Sequence, residues 1–284
     1  MKCYYHKIGL GGKCSAAIVK RKYPDCELIG VDYPDRPDFK KIKLGDTIFV
    51  VDFSFEREDM LALTTAAGPN KVFWIDHHKS AIEKMKGENW LFRGRRAVDT
   101  AACELTWEYL FPDEPMPEAV RLLGRYDVWD HEDETVLPFQ YGMRLSEWSP
   151  EDVPWENILK SNELSRKMTE ARTDMGATIL DYEYQRNTIY AEEMAFPVEF
   201  EGNKAWAINK ALSNSLIFET IENSDERPLW ILFRYRAGIW KYSLYSAPDS
   251  GLDISIIAAK YGGGGHAGAA GFQSEKYLLE EVKL

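Results

Sequence analysis

Two short runs set the limits on how this chain folds. Residues 47–51 read Thr-Ile-Phe-Val-Val and end on Asp52, and residues 72–75 read Val-Phe-Trp-Ile and end on Asp76. An uninterrupted apolar strand belongs to a sheet covered on both faces. Between them, residues 56–66 have the pattern of a helix that Gly68-Pro69-Asn70 stops. Strand, helix and strand within positions 47–75 match the length of one βαβ unit. The handedness of such units makes the two strands parallel, with their carboxyl ends on one edge. Asp52 and Asp76 then sit just past strand ends, and His6 closes a third strand candidate at residues 2–6. That edge is where open α/β sheets bind ligands.

The flanking sequence extends this frame. Ile8-Gly9-Leu10-Gly11-Gly12 reads as a glycine-rich turn, Ser15 opens a helix, and residues 28–31 form another strand. Residues 100–110 and 117–126 read as helices, the second leading into Arg125-Tyr126-Asp127 and on to His131. A segment rich in Glu, Arg, Lys and Met over 154–194 reads as one or two long helices, and Pro197 marks a boundary. Strands follow at 205–208, 229–235 and 239–245, the last two forming a hairpin around Arg236-Ala237-Gly238. Asp253 can cap a helix through Lys260, and a final helix is expected to reach Leu284. The expected organisation is an α/β domain at 1–153 with a mainly parallel sheet and helices on both faces. A helical linker at 154–195 and a smaller α+β domain at 196–284 follow.

Apolar residues make up 45% of the chain, enough to bury a core, and the formal charge is -11. Such a balance argues against binding along long duplex nucleic acid, which needs a broad basic face. A short anionic substrate held at a metal ion remains compatible with it, because the local field then decides. The four cysteines lack paired spacing and read as reduced, buried thiols, which suits a cytoplasmic protein. Neither a signal pattern nor a membrane-crossing apolar run is visible, and a homo-oligomer is compatible with the sequence.

Candidate chemistry concentrates at a few positions. The chain has five histidines. His6, His77 and His78 fall in the segments assigned to one sheet edge, and Asp76-His77-His78 follows directly on an apolar strand. Carboxylate and imidazole together suit Mn, Fe, Co or Zn. A buried Asp52 needs a cation or several donors to stay ionised, and a carboxylate bridging two metals would meet that need. His131 reads as a helix-end residue. The run Gly262 to Gly265 before His266 is costly in chain entropy, which favours close approach of backbone N–H groups to an anion. Tyr242, Tyr245 and Tyr261 near that run would favour a nucleobase over polyphosphate if they stack on a ligand.

Taken together, these residues resemble the DHH phosphoesterases. Asp76-His77-His78 is similar to their signature, and the stretch from Gly262 through His266 to Phe272 is similar to their DHHA1 companion domain. Val51-Asp52-Phe53-Ser54, Thr100-Ala101-Ala102 and Arg125-Tyr126-Asp127 stand where further motifs belong, so the resemblance covers nearly the whole chain. It implies metal ligation by His6 and Asp52 at a first site and by Asp52, His77 and Asp127 at a second, with Asp76 supporting or extending that shell. It further implies Mn2+ as the usual ion, His78 and Asp76 as catalytic groups, and Gly263, Gly264, Gly265 and His266 as the binding element for the far end of the substrate. The implied cleft lies between the domains. The Ser243-Leu244-Tyr245-Ser246 strand is similar to members acting on small substrates, such as oligoribonucleases and related phosphodiesterases.

One motif departs from the pattern. His6-Lys7-Ile8-Gly9-Leu10-Gly11-Gly12 places glycines where the resemblance expects two aspartates. Loss of two carboxylates should lower divalent affinity. Weakened catalysis, an altered form of an active enzyme, and replacement of the missing ligands by water or by Asp32 are all open at this point. The expected activity is metal-dependent hydrolysis of a phosphodiester or terminal phosphate in a short oligonucleotide or nucleotide-like substrate. The alternatives are a catalytically weakened or inactive nucleotide-binding protein, and an exopolyphosphatase or pyrophosphatase.

Overall fold

The computed structural model describes residues 1–33 and 35–282. The chain divides into two units, Met1–Leu180 and Asp181–Leu284.

In the first unit, β1 (Lys2–His6), α1 (Leu10–Lys22), β2 (Glu27–Val31), β3 (Ile48–Val51), α2 (Arg57–Ala67) and β4 (Val72–Ile75) follow in order. Their sheet has the order β2-β1-β3-β4 and every pairing is parallel. All four residues of β3 are buried. Alternation along the strand explains why: Phe49 and Val51 enter a core with α1, while Ile48 and Val50 enter a second core with Met60 and Leu63 of α2. Helices α3 (Lys79–Lys84), α4 (Ala102–Leu110), α5 (Glu118–Asp127), α6 (Val136–Arg144) and α7 (Val153–Ile158) complete this unit, together with the first part of α8 (Glu163–Met194). The expected parallel sheet with helices on both faces is therefore present. The chain leaves β1 toward β2 on one side and returns to β3 on the other, so β1 and β3 flank a topological switch point.

One correction concerns the glycine-rich turn. Helix α1 starts at Leu10, well before Ser15, and Gly11 and Gly12 are buried in its first turn. A side chain on Gly12 would collide with the carbonyl oxygen of His6. Glycine there lets the helix begin directly against the end of β1.

The second unit holds a six-stranded sheet of order β5-β6-β7-β8-β10-β9. Its members are β5 (Ala195–Phe200), β6 (Asn203–Asn209), β7 (Leu229–Arg236), β8 (Ile239–Ser246), β9 (Gly264–Gly265) and β10 (Ala269–Ser274), with α9 (Ile254–Lys260) packed on it. Only β6 and β7 pair in parallel. The expected hairpin forms through a two-residue loop with φ of 51° at Ala237 and 85° at Gly238, the turn whose twist suits paired strands. The side chain of Asp253 accepts from Ser255 N–H and caps α9. Pro197 lies inside β5 rather than at a boundary, tolerated because β5 is the first strand of its sheet.

The expected final helix does not form over residues 275–282; Lys283 and Leu284 lie outside the described residues. Leu278 N–H donates to the Tyr242 hydroxyl at 2.9 Å, Leu279 is buried in the core, and Val282 N–H donates to the Pro197 carbonyl at 3.0 Å. Tertiary contacts thus override local helix preference. Among the described residues, no helix is long and apolar enough to cross a membrane.

The α1–β1 junction gives a direct test. Gly12→Ala should destabilise the protein by about 1–3 kcal/mol, because the clash is with backbone. Urea unfolding measures it, and an unchanged midpoint would contradict the packing described.

Candidate metal centre

The site begins with a buried acid. Asp76 follows β4 and is fully buried. Trp74, two residues earlier on the same face of the strand, donates its indole N–H to Asp76 Oδ2 at 3.2 Å. The backbone N–H groups of His77 and His78 donate to Oδ1 at 2.8 and 3.3 Å, and His78 Nδ1 lies 2.7 Å from the same oxygen. Burial alone would raise the pKa of Asp76, but His78 and these hydrogen bonds outweigh it and hold the carboxyl below its usual value. Burial likewise opposes a charge on His78, yet Asp76 prevails and lifts its pKa to about 9. Asp76 therefore orients His78, with both of its own oxygens engaged. The spacing of Trp74 two residues before Asp76 was visible in the sequence, although its role as a donor was not anticipated.

Asp52 reaches the same place from β3. Its φ is 52°, a left-handed conformation uncommon outside glycine, and its N–H is tied to the Ile75 carbonyl at 3.0 Å. The departure from the strand turns the carboxylate toward His77, whose Nε2 lies 3.3 Å from Asp52 Oδ1 and 3.5 Å from Asp127 Oδ2. Burial opposes a charge on His77, but the two carboxylates outweigh it and raise its pKa.

Asp127 is delivered by helix packing. It is the last residue of α5, and Gly124 one turn earlier makes room for the side chain of Glu104 from α4. A carboxylate at a helix C-terminus is disfavoured by the helix dipole and is best placed beside a cation. Burial, and then the charge of Asp52, push Asp127 up to about 7. A third of its side chain still reaches solvent (33%), which screens part of that push.

These groups fit a divalent cation. Asp52, His77 and His78 each offer a ligand atom within 4.8 Å of the others. Asp52 Oδ1 is buried, with His77 Nε2 at 3.3 Å as its neighbour. Carboxylate with imidazole is a donor set for first-row divalent ions. Gly11 borders the same space: a Cβ there would stand 2.7 Å from Asp127 Oδ2 and 3.4 Å from Asp52 Oδ2. Both carboxylates thus converge on a backbone that carries no side chain.

The remaining candidates have surroundings of their own. His6 Nε2 is 3.5 Å from Asp32 Oδ1, the neighbouring acid considered as a substitute ligand. His131 stacks on Tyr126 (5.6 Å) and packs at a tilt against Trp129 (4.4 Å). In the second unit, Gly264 and Gly265 pair with Gly271 and Ala270, and His266 N–H donates to the Ala269 carbonyl at 2.8 Å. Side chains on Gly263 or Gly265 would meet the backbone of β10, so packing accounts for both; a Cβ on Gly264 would meet nothing within 4 Å. Tyr242 and Tyr261 stack on Phe272 at 4.9 and 4.5 Å, so strand packing accounts for these tyrosines.

No family model matches the chain. It is 25% identical over 275 residues to oligoribonuclease NrnB of Bacillus subtilis (strain 168), covering 86% of this chain and 66% of that protein. An uncharacterized protein of Acanthamoeba polyphaga mimivirus is 23% identical over 239 residues, covering 79% of this chain and 52% of that one. The chain therefore spans between about half and two thirds of the length of these curated relatives. Among solved structures, a DHH domain from a member of a ribosomal protein family has a TM-score of 0.61 at 13% identity, covering 95% of this chain and 81% of that one. The pGpG-specific phosphodiesterase PggH from Vibrio cholerae has a TM-score of 0.55 at 12% identity, covering 96% and 92%. These likenesses establish a shared fold: an N-terminal parallel sheet flanked by helices and a C-terminal sheet unit.

The position of Gly11 makes the metal testable without turnover. Gly11→Asp should lower stability in chelator by about 1–3 kcal/mol, through crowding against Asp127 and a further buried charge. Added Mn2+ should restore it, and the metal-induced rise in melting temperature should exceed that of the unaltered protein. Thermal denaturation with and without Mn2+ reads both effects; equal shifts in the two proteins would place the cation elsewhere.

Proposed function

We propose that this protein is a divalent-metal-dependent phosphoesterase that cleaves a phosphodiester or terminal phosphate in a short oligonucleotide or nucleotide-like substrate. The convergence of Asp52, His77, His78 and Asp127 at the carboxyl edge of the parallel sheet carries this reading. Asp52, His77 and Asp127 would hold the ion. His6, paired with Asp32, is the candidate for a weaker second position. A bound divalent ion, Mn2+ by our reading, supplies Lewis-acid activation of water and offsets phosphate charge. Asp76 fixes the His78 ring, so that His78 donates to a phosphate oxygen as negative charge develops there. Gly264 and His266 belong to a ligand-binding element of the second unit.

A second reading rests on Gly9 and Gly11. With no carboxylate at either position, the protein would keep its nucleotide site and lose turnover. Incubation with Mn2+ and short RNA, following mononucleotide release, distinguishes the two. Release is the expected outcome. Absence of release both here and after Gly9→Asp with Gly11→Asp would leave the binding reading, and release of phosphate from polyphosphate alone would redirect the assignment to that substrate.

The glycine loop yields a separate expectation. Because packing does not require glycine at position 264, Gly264→Ala should change stability by no more than about 0.5 kcal/mol. It should nonetheless raise KM several-fold if backbone N–H groups there approach the substrate. Steady-state kinetics beside a melting curve separates these effects, and an unchanged KM removes the loop from the site.

A further inference from the structure

A cavity of ≈ 340 Å³ opens beside the metal centre, within the first unit, and the proposed chemistry leaves it unused. It lies between the first turn of α1 and the α5–α6 pair. Gly9 and Gly11 line one side, and Asp127 joins the cavity to the metal centre.

Three observations restrict its occupant. The first is charge. Lys13 and Arg144 line the cavity, but so do Asp127 and Glu147, so an isolated anion gains little from entering it. The second is the wall. Leu10 and Leu123 provide apolar surface next to the Tyr126 ring. Arg144 lies over that ring at 5.2 Å and donates to its hydroxyl at 3.0 Å, which ties the two side chains together and leaves the planar guanidinium at the cavity wall. The third is Gln140. This α6 residue lines the cavity and is 95% buried, at 5% exposure, and its amide oxygen has no hydrogen-bond partner. Buried amide groups are rarely left unpaired. Turning the amide over would leave its NH2 end in the same position, so either orientation calls for a partner.

We propose that this cavity receives a nucleobase of the substrate, with the Gln140 amide pairing to the base edge and the Arg144 guanidinium, held by Tyr126, packing against the ring. The proposal rests on the nucleotide reading above and sharpens it. A base brings flat apolar faces and an edge of alternating donors and acceptors, which a primary amide complements and which aromatic or guanidinium planes stack upon. Phosphate and polyphosphate bring acceptors alone, and Asp127 and Glu147 already supply acceptors here. Because Asp127 faces both spaces, the bound base belongs to the nucleotide whose phosphate occupies the metal centre.

Gln140→Leu tests this, since it replaces a buried polar group with an apolar one of similar size and should not lower the melting temperature. Calorimetry would compare a nucleoside 5′-monophosphate with ribose 5-phosphate, beside turnover of short RNA in Mn2+. The unaltered protein should prefer the monophosphate by about tenfold or more, one good hydrogen-bonded contact in free energy. Gln140→Leu should lose most of that preference and raise KM for RNA by a similar factor, with kcat the lesser change. Arg144→Ala should also weaken the monophosphate. Equal affinity for the two ligands in the unaltered protein, or an undiminished preference in both variants, overturns the assignment. Turnover without base preference would keep the hydrolase and remove the cavity. Base preference without turnover would keep the cavity and remove the hydrolase.

Discussion

The first unit's chemistry depends on a carboxylate that is taken out of water and fully supplied with donors. Asp76 stands at the end of β4 with an indole, two backbone N–H groups and an imidazole on its two oxygens. Each donor comes from within two residues in sequence, so the arrangement is local. Its effects extend further. It aims His78, it fixes the path of the chain leaving β4, and it thereby sets His77 against Asp52 and Asp127. A buried ion so well hydrogen-bonded is stable only where the strand before it is anchored. The double cover of the sheet supplies that anchor.

The parts of this architecture legible in the sequence were those encoded over short distances. Unbroken apolar runs ending on Asp52 and Asp76 gave the parallel strands and the shared edge. The hairpin at Ala237-Gly238 and the Asp253 cap followed from local turn and cap chemistry. What stayed hidden was set by packing between distant elements. Gly11 and Gly12 look like a turn but begin a helix, because only the neighbouring His6 carbonyl shows why a side chain is excluded. The resemblance pairs Asp127 with His77, but the packing that delivers it, Gly124 against Glu104, follows from no spacing rule. The residues after β10 were expected to be helical, and the Tyr242 hydroxyl together with Pro197 holds them in another form.

The candidate metal centre is a case of opposing demands. Two carboxylates converge on Gly11 with one imidazole between them, an arrangement of like charges that a cation relieves. The glycine keeps negative charge out of that space and leaves room on its far side. The same backbone borders both the candidate ion position and the adjoining cavity.

The segment after β10 has a bearing on how the second sheet behaves in solution. Strand β5 pairs with β6 along one side only, and on its other side Glu281 bridges Val198 while Val282 bonds Pro197. A strand with an open side is a template for intermolecular pairing. The last described residues, with the proline beside them, blunt that template, so this stretch acts as a guard against aggregation as much as a part of the fold.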